Sequence, residues 1–294
     1  MTTLRIATRS SAQARTQAAQ LGASILAAAP GTQVEYLFVD TSGDLDRTTP
    51  LHQLGGQGIF VKEVQRAVLE GRADVAAHSA KDLPSRTAAG LVIGAFTERR
   101  SPQDALVGSR LGDLAPGATV ATGSVRRRSQ MARLRPDLVF AELRGNIATR
   151  LEKIPDGGAI VMAVAALEIL GLTDRIAEVL DVSVAVPMVG QGCVAAECRT
   201  DDAASASLLA AVDHAPTRRA LECERAFLAE LGAGCSLPVG AHLGPDGILR
   251  AYMAAIDGSD SVQIEGAIGS DDDHVVIGAA VARECRDRLA HRGS

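Results

Sequence analysis

There is no tryptophan in these 294 residues, and all aromatics together make up 2% of the chain. Proteins that hold single-stranded nucleic acid stack its bases on aromatic platforms, so that class is poorly supplied here. A basic field is missing too: the formal charge is −5, without the excess of Lys and Arg on which polyanion binding rests. No apolar run reaches the roughly 20 residues that cross a bilayer, and the opening Met-Thr-Thr-Leu-Arg carries no signal-peptide pattern. The five cysteines stand at 193, 198, 223, 235 and 285. They have neither CxxC spacing nor paired histidines, which argues against both a zinc site and a disulfide framework. A Walker loop and a Ser/His/Asp pattern are also lacking. What is there is 47% hydrophobic and 22% charged, the make-up of an ordinary globular enzyme. The length allows two or three domains. A cytoplasmic, reducing location is expected, with no membrane and no nucleic acid as partner.

One cysteine differs from the other four. Cys235 lies in Gly-Ala-Gly-Cys-Ser-Leu-Pro-Val-Gly, residues 232–240. A packing cysteine usually sits in an apolar periodic run. This one sits in a turn, between glycines that leave room for a bulky group to approach. Cys193 and Cys198 fall in or beside an apparent strand, and Cys223 and Cys285 in helical patterns.

The chain opens with a strand at 4–8, the turn Arg9-Ser10-Ser11, a helix to about 29 and a strand at 34–39. That is a βαβ opening. Ligands of such units sit at the carboxyl ends of strands, near helix amino termini, which places Arg9 and Ser11 for an anion. A solvated arginine and an N-cap serine explain the same residues. Residues 41–58 are rich in glycine and read as a mobile lid. A helix over 59–69 and strands at 73–77 and 91–95 follow. Between those strands comes His-Ser-Ala-Lys-Asp-Leu-Pro, with Lys81 and Asp82 at a strand end. Asp before such a turn is also plain turn chemistry.

From 104 the pattern restarts. A strand at 119–121 runs into Thr122, Gly123 and Ser124 and then a helix opening with Val125 and Arg126, Arg127 and Arg128. Three cations at the positive end of a helix dipole ask for an anion. A strand at 138–143 leads to Arg144, Gly145 and Asn146 and a helix with Arg150, and 159–163 is a buried strand. Residues 184–189 lead to Gly190-Gln191-Gly192, a hinge or simply a turn. Two helices, the Cys235 loop, a three-strand antiparallel meander and a last helix complete the chain. Cations thus recur at strand-to-helix turns. Each arginine grips a carboxylate through a fork of N–H donors, so the set suits a ligand with many carboxylates. As cations gathered around a ligand, they should be separable from apo stability.

Several stretches, in order, resemble the porphobilinogen deaminase (hydroxymethylbilane synthase) family. They are Ile6-Ala7-Thr8-Arg9, Phe60-Val61-Lys62-Glu63, His78 to Pro84, Thr122 to Arg127, Leu143-Arg144-Gly145-Asn146 and Gly234 to Gly240. The resemblance covers nearly the full chain. It implies an α/β fold with two periplasmic-binding-protein-like (type 2) lobes of mostly parallel sheets. A third small α/β domain should carry an antiparallel three-stranded sheet. The bounds expected are 1–97 with 191–212, 102–187, and 217–294. The activity implied is a monomeric transferase of porphyrin and haem biosynthesis. It condenses four porphobilinogen molecules head to tail on a dipyrromethane cofactor, with loss of ammonia, and releases a linear tetrapyrrole by hydrolysis. The cofactor would be held by a thioether to Cys235, and Asp82 would be catalytic. Arg9, Ser11, Lys81, Thr122, Ser124, Arg126, Arg127, Arg144, Gly145, Arg150 and Gln191 would bind cofactor and substrate, with Phe60 in the lid. Many relatives have lysine where this chain has Gln53 and Gln57. A non-catalytic, two-lobed small-anion binder is the alternative, and it leaves Cys235 without a task.

Overall fold

The structure is a computed structural model that describes residues 2–45, 58–232, 237–256 and 258–292. Gln53, Gln57 and Cys235 lie outside the described residues. In chain order the elements are β1 (Thr2–Arg9), α1 (Ala12–Ala28), β2 (Thr32–Val39), a one-turn α2 (Ser42–Leu45), α3 (Lys62–Leu69), β3 (Val75–Ser79) and β4 (Leu91–Phe96). Then come β5 (Asp104–Gly108), β6 (Thr119–Ala121), α4 (Val125–Leu134), β7 (Val139–Ala141), α5 (Ile147–Leu151), β8 (Ala159–Ala163), α6 (Val164–Ile169) and β9 (Ile176–Val179). The chain continues with β10 (Val194–Arg199), α7 (Ala203–Ala210), α8 (Ala215–Glu230), β11 (Val239–Leu243), β12 (Ile248–Ala254), β13 (Ser261–Ala267) and α9 (His274–Arg292).

Local chemistry accounts for most boundaries. Ser11, Ser124 and Asn146 cap α1, α4 and α5 by accepting a backbone N–H with the side-chain oxygen. α1 stops before Pro30-Gly31, and its buried Ala14, Gln17, Ala18, Leu21 and Ile25 keep the spacing of one helix face. α3 stops ahead of Gly71, whose φ of +71° suits glycine alone.

The chain divides into two compact units. One comprises residues up to Asp46, Gly56–Arg100 and Gly192–Arg219. Its sheet has the order β2-β1-β3-β10-β4. β1 is parallel to β2 and β3, whereas β10 runs antiparallel to β3 and β4. Helices cover both faces. Leu4, Ile6, Val75 and Cys198 face α1 and α7, while Ala7 and Ala76 face α3. The strands in the middle, β3 and β10, are therefore buried on both faces along nearly their whole length rather than alternately, with His78 and Glu197 buried among apolar residues.

The other unit holds Ser101–Gln191 and the chain from Ala220 onward. Its first sheet has the order β7-β6-β8-β5-β9. β6 is parallel to β7 and β8, and β5 antiparallel to β8 and β9. Strand for strand this repeats the first sheet, with β6 in the place of β1 and β5 in the place of β10. This is the periplasmic-binding-protein-like (type 2) order, and each sheet is mostly parallel as expected, with four strands running one way and one, β10 or β5, against them. In both, the crossing strand enters from a distant part of the chain and runs against its neighbours. The second sheet of this unit is the expected antiparallel meander, β11-β12-β13. It has its own core with α8 and α9, built around Phe227, Leu249, Val262, Val281 and Cys285.

Candidate active site

Strand ends position the polar residues of the first unit. Arg9 is the last residue of β1 and Ser79 the last of β3, and these strands are neighbours. A single 3-10 turn, Ala80–Asp82, follows β3 and presents Lys81 and Asp82. Arg9 Nη1 reaches Asp82 Oδ2 at 3.5 Å, with about a fifth of each side chain still exposed. The Arg9 guanidinium also lies over the Phe60 ring, 4.2 Å from its centroid, a cation–π contact. Three of the expected residues thus meet: Phe60, Arg9 and Asp82. Ser11 is engaged as the cap of α1, accepting the Ala14 N–H at 3.3 Å. One neighbour escaped the sequence reading. Gln17, on the buried face of α1, shares a 2.9 Å hydrogen bond with the Ser79 hydroxyl.

In the second unit two turns do the corresponding work. Thr122, Gly123 and Ser124 lie between β6 and α4, and Leu143 to Asn146 between β7 and α5. The turns touch, because a Cβ at Gly123 would stand 2.8 Å from the Leu143 carbonyl oxygen. Gly145 has a φ of +118°, and Arg150 Nε donates to its carbonyl at 2.8 Å. The conformation that lifts Arg144 off β7 is therefore fixed from α5. Thr122 Oγ1 accepts the Ser124 N–H, and Ser124 Oγ accepts the Arg127 N–H.

The anion that the arginine run asks for is supplied by the chain itself. Asp104, the first residue of β5, is 1% exposed. Its Oδ2 accepts Arg126 Nη2 at 2.7 Å. Its Oδ1 accepts Arg127 Nη2 at 2.7 Å, Arg127 Nε at 3.0 Å and Gln191 Nε2 at 2.8 Å. Arg126 Nη1 donates to the Val186 carbonyl and Arg127 Nη1 to that of Val161. Burial alone would raise the Asp104 carboxyl. The charges of Arg126 and Arg127, with the hydrogen bonds of Arg127 and Gln191, outweigh it and hold the group well below the usual carboxylate range. Burial lowers Arg126, against the pull of Asp104. These two arginines are integral to the fold, which corrects the expectation that they are separable from apo stability. Arg128 is exposed.

Gly240 closes the motif that contains Cys235 and is the second residue of β11. A Cβ there would meet the carbonyl oxygens of Pro187 and Val186 at 2.7 and 2.8 Å and Arg126 Cδ at 3.2 Å. Only glycine allows β11 to approach so closely. The Tyr252 hydroxyl of β12 hydrogen-bonds Ser129 Oγ of α4 at 2.6 Å. The meander is thereby docked on the helix that carries the arginines.

The donors gathered in this unit are guanidinium groups, hydroxyls and the start of a ten-residue helix, the chemistry of carboxylate recognition. One donor, Arg126 Nε, is buried with no hydrogen-bond partner. Such a set fits a group bearing several carboxylates. Among the described residues no cluster of side chains is suited to hold a metal, and no helix is long and apolar enough to cross a membrane.

Fold and donors together define a protein with two α/β sheets of one topology, each carrying cations at its strand ends, for a polycarboxylate ligand. The chain belongs to the porphobilinogen deaminase family. The model of the family's dipyromethane cofactor binding domain matches residues 4–207, and that of its C-terminal domain residues 219–287. The chain is 43% identical over 305 aligned positions to the porphobilinogen deaminase of Thermobifida fusca (strain YX), covering 100% of this chain and 95% of that one. Among solved structures it is similar to a TRAP periplasmic solute binding protein from Desulfovibrio salexigens. That match has a TM-score of 0.42 at 12% identity, over 72% of each chain. It is also similar to YhfZ from Shigella flexneri, with a TM-score of 0.39 at 17% identity, over 73% of this chain and 85% of the other.

Proposed function

We infer that this chain is a hydroxymethylbilane synthase, a transferase that joins four porphobilinogen molecules head to tail with loss of ammonia and releases the linear tetrapyrrole to water. The observation that carries the reading is the partly exposed Arg9–Asp82 pair at the β3 end, in a chain whose residues 4–207 and 219–287 match the two family models. The enzyme works as a monomer in the cytoplasm, without nucleic acid. Residues 1–97 with 191–212, 102–187 and 217–294 form its three domains.

Loss of ammonia from the aminomethyl group of the substrate leaves positive charge on a pyrrole, shared with its N–H. A carboxylate held at that N–H stabilises charge that grows as the reaction proceeds, so it acts on rate more than on binding. Asp82 has that role. Arg9 aims it, and the Phe60 ring keeps the Arg9 guanidinium over one face. Asp82 also accepts the proton that the attacking pyrrole must lose. Lys81, Arg9, Ser11, Thr122, Ser124, Arg126, Arg127, Arg144, Gly145, Arg150 and Gln191 bind acetate and propionate groups. The Cys235 thiol, on its glycine-flanked loop, is the attachment point. The dipyrromethane, when bound there, supplies the pyrrole end from which the chain is extended.

Intact mass of the full chain, before and after porphobilinogen, tests this reading. A covalent increment that disappears in Cys235→Ser is expected, together with release of a linear tetrapyrrole by the unaltered protein. A bare sequence mass that porphobilinogen leaves unchanged would return the chain to the class of small-anion binders. A single monomeric peak in size-exclusion chromatography is expected alongside.

A further inference from the structure

We propose that Glu224 is a positioning residue for the Asp104–Arg126–Arg127 cluster, and that it sets the arginines in register with the sheet that follows the Cys235 loop. Glu224 lies in α8 and is fully buried. Its Oε2 accepts the Gly190 N–H at 2.9 Å, and its Oε1 accepts the Leu243 N–H at 3.0 Å. His242 Nδ1 stands 3.3 Å from Oε1. One buried carboxylate therefore bridges two backbone segments that are far apart in sequence. One is β11, which begins four residues beyond Cys235. The other is the turn that presents Gln191.

That turn leads directly to the cluster. Gly190 has a φ of +74°, and the Gln191 N–H donates to the Met188 carbonyl at 2.9 Å, the form of a type II turn. The Gln191 side chain donates to Asp104 Oδ1 at 2.8 Å and to the Pro102 carbonyl at 2.7 Å, and accepts from Arg127 Nη2 at 3.4 Å. Four residues earlier than Gly190, the Val186 carbonyl receives Arg126 Nη1. The 186–191 segment thus supplies partners to both arginines and to their aspartate. It is tied to α8 by the hydrogen bond to Glu224, beside Val189 packed in the core with Phe227 and Leu228. A buried carboxylate is costly to maintain. Placed between two N–H donors, it fixes geometry that an apolar residue cannot.

The proposal rests on the activity inferred above, and its test separates the two. The full chain is made in cells that produce no porphobilinogen, as wild type, Glu224→Gln, Gln191→Ala and the double variant. Intact mass then follows the rate at which each gains the covalent increment when porphobilinogen is added, and thermal melting of the apo proteins is recorded beside it. In Glu224→Gln an amide N–H₂ faces one of the two backbone donors. The increment is expected to form about tenfold more slowly or worse, the scale of a lost hydrogen bond to a charged group. If Glu224 acts through the turn, the double variant is no slower than the slower single one. Should Glu224→Gln not fold, Glu224→Asp keeps the charge but is too short to bridge both donors, and it carries the same test. Wild-type loading in the Glu224 variant, or rate losses that multiply in the double variant, would overturn the positioning role. Failure of the unaltered chain to gain the increment would overturn the activity, and this role with it.

Discussion

Asp82 and Asp104 are both aspartates facing arginine, yet they sit in opposite environments. The Asp82–Arg9 contact is 3.5 Å long, with both side chains about one-fifth exposed. Asp104 holds two arginines at 2.7 Å and is buried with them. A partly solvated pair contributes little to stability, so its carboxylate stays available to a ligand. A buried triad is the reverse case: its members were desolvated together, and removing one strands a charge in a medium of low polarity. The first unit thus presents a partly exposed carboxylate on a short turn, and the second uses a buried one to fasten its arginines.

Breaking the buried triad should have the largest effect. Asp104→Asn, or Arg126→Leu, is expected to lower apo stability on the order of 3–5 kcal/mol, read by denaturant unfolding. The pH dependence carries the same signature. The folded state depresses the Asp104 carboxyl, so its contribution is complete above the unfolded value of about 4 and is lost as pH falls below it. Asp104→Asn should flatten that acid limb. An unchanged acid limb would show that Asp104 is not the group responsible.

The partly exposed pair should respond in the other observable. Asp82→Asn keeps the size and most of the turn's hydrogen bonding. Turnover should fall by roughly 100-fold or more, with the melting temperature and the covalent increment retained. Near-normal turnover would move the catalytic role elsewhere. Gly240→Ala comes next, because its Cβ must displace two carbonyl oxygens. A loss of about 1–3 kcal/mol is expected from overpacking of this kind, again in unfolding. The smallest effect belongs to Phe60→Leu. It removes a cation–π contact worth roughly 0.5–1 kcal/mol at an exposed site, and steady-state kinetics should change by about fivefold or less. A larger change would mean that Phe60 touches the ligand itself.

The four other cysteines sharpen the reading of Cys235. Cys193, Cys198, Cys223 and Cys285 are buried thiols, and burial pushes Cys285 up to about 12. Burial also raises the Cys198 thiol.

Much of this was legible from local pattern. The strands at 119–121, 159–163 and 239–243 and the serine caps at 11 and 124 follow from propensity, periodicity and capping, which act within a few residues. The motif residues Arg9, Phe60 and Asp82 were legible as well, and the fold brings them into contact. Their meeting was not, since β1, the turn before α3 and the end of β3 come together only through sheet order.

By itself, then, the sequence determined the α/β elements, the cations at the strand ends and, through its motifs, the family. Tertiary structure alone decided which arginines are anchored inside and which carboxylate stays partly exposed. Asp104 meets its arginines across 22 and 23 residues and Gln191 across 87, and Glu224 reaches Gly190 across 34. A side chain's charge is local information, but its solvation depends on what the rest of the chain packs around it. That difference in solvation is what separates the buried Asp104 from the partly exposed Asp82.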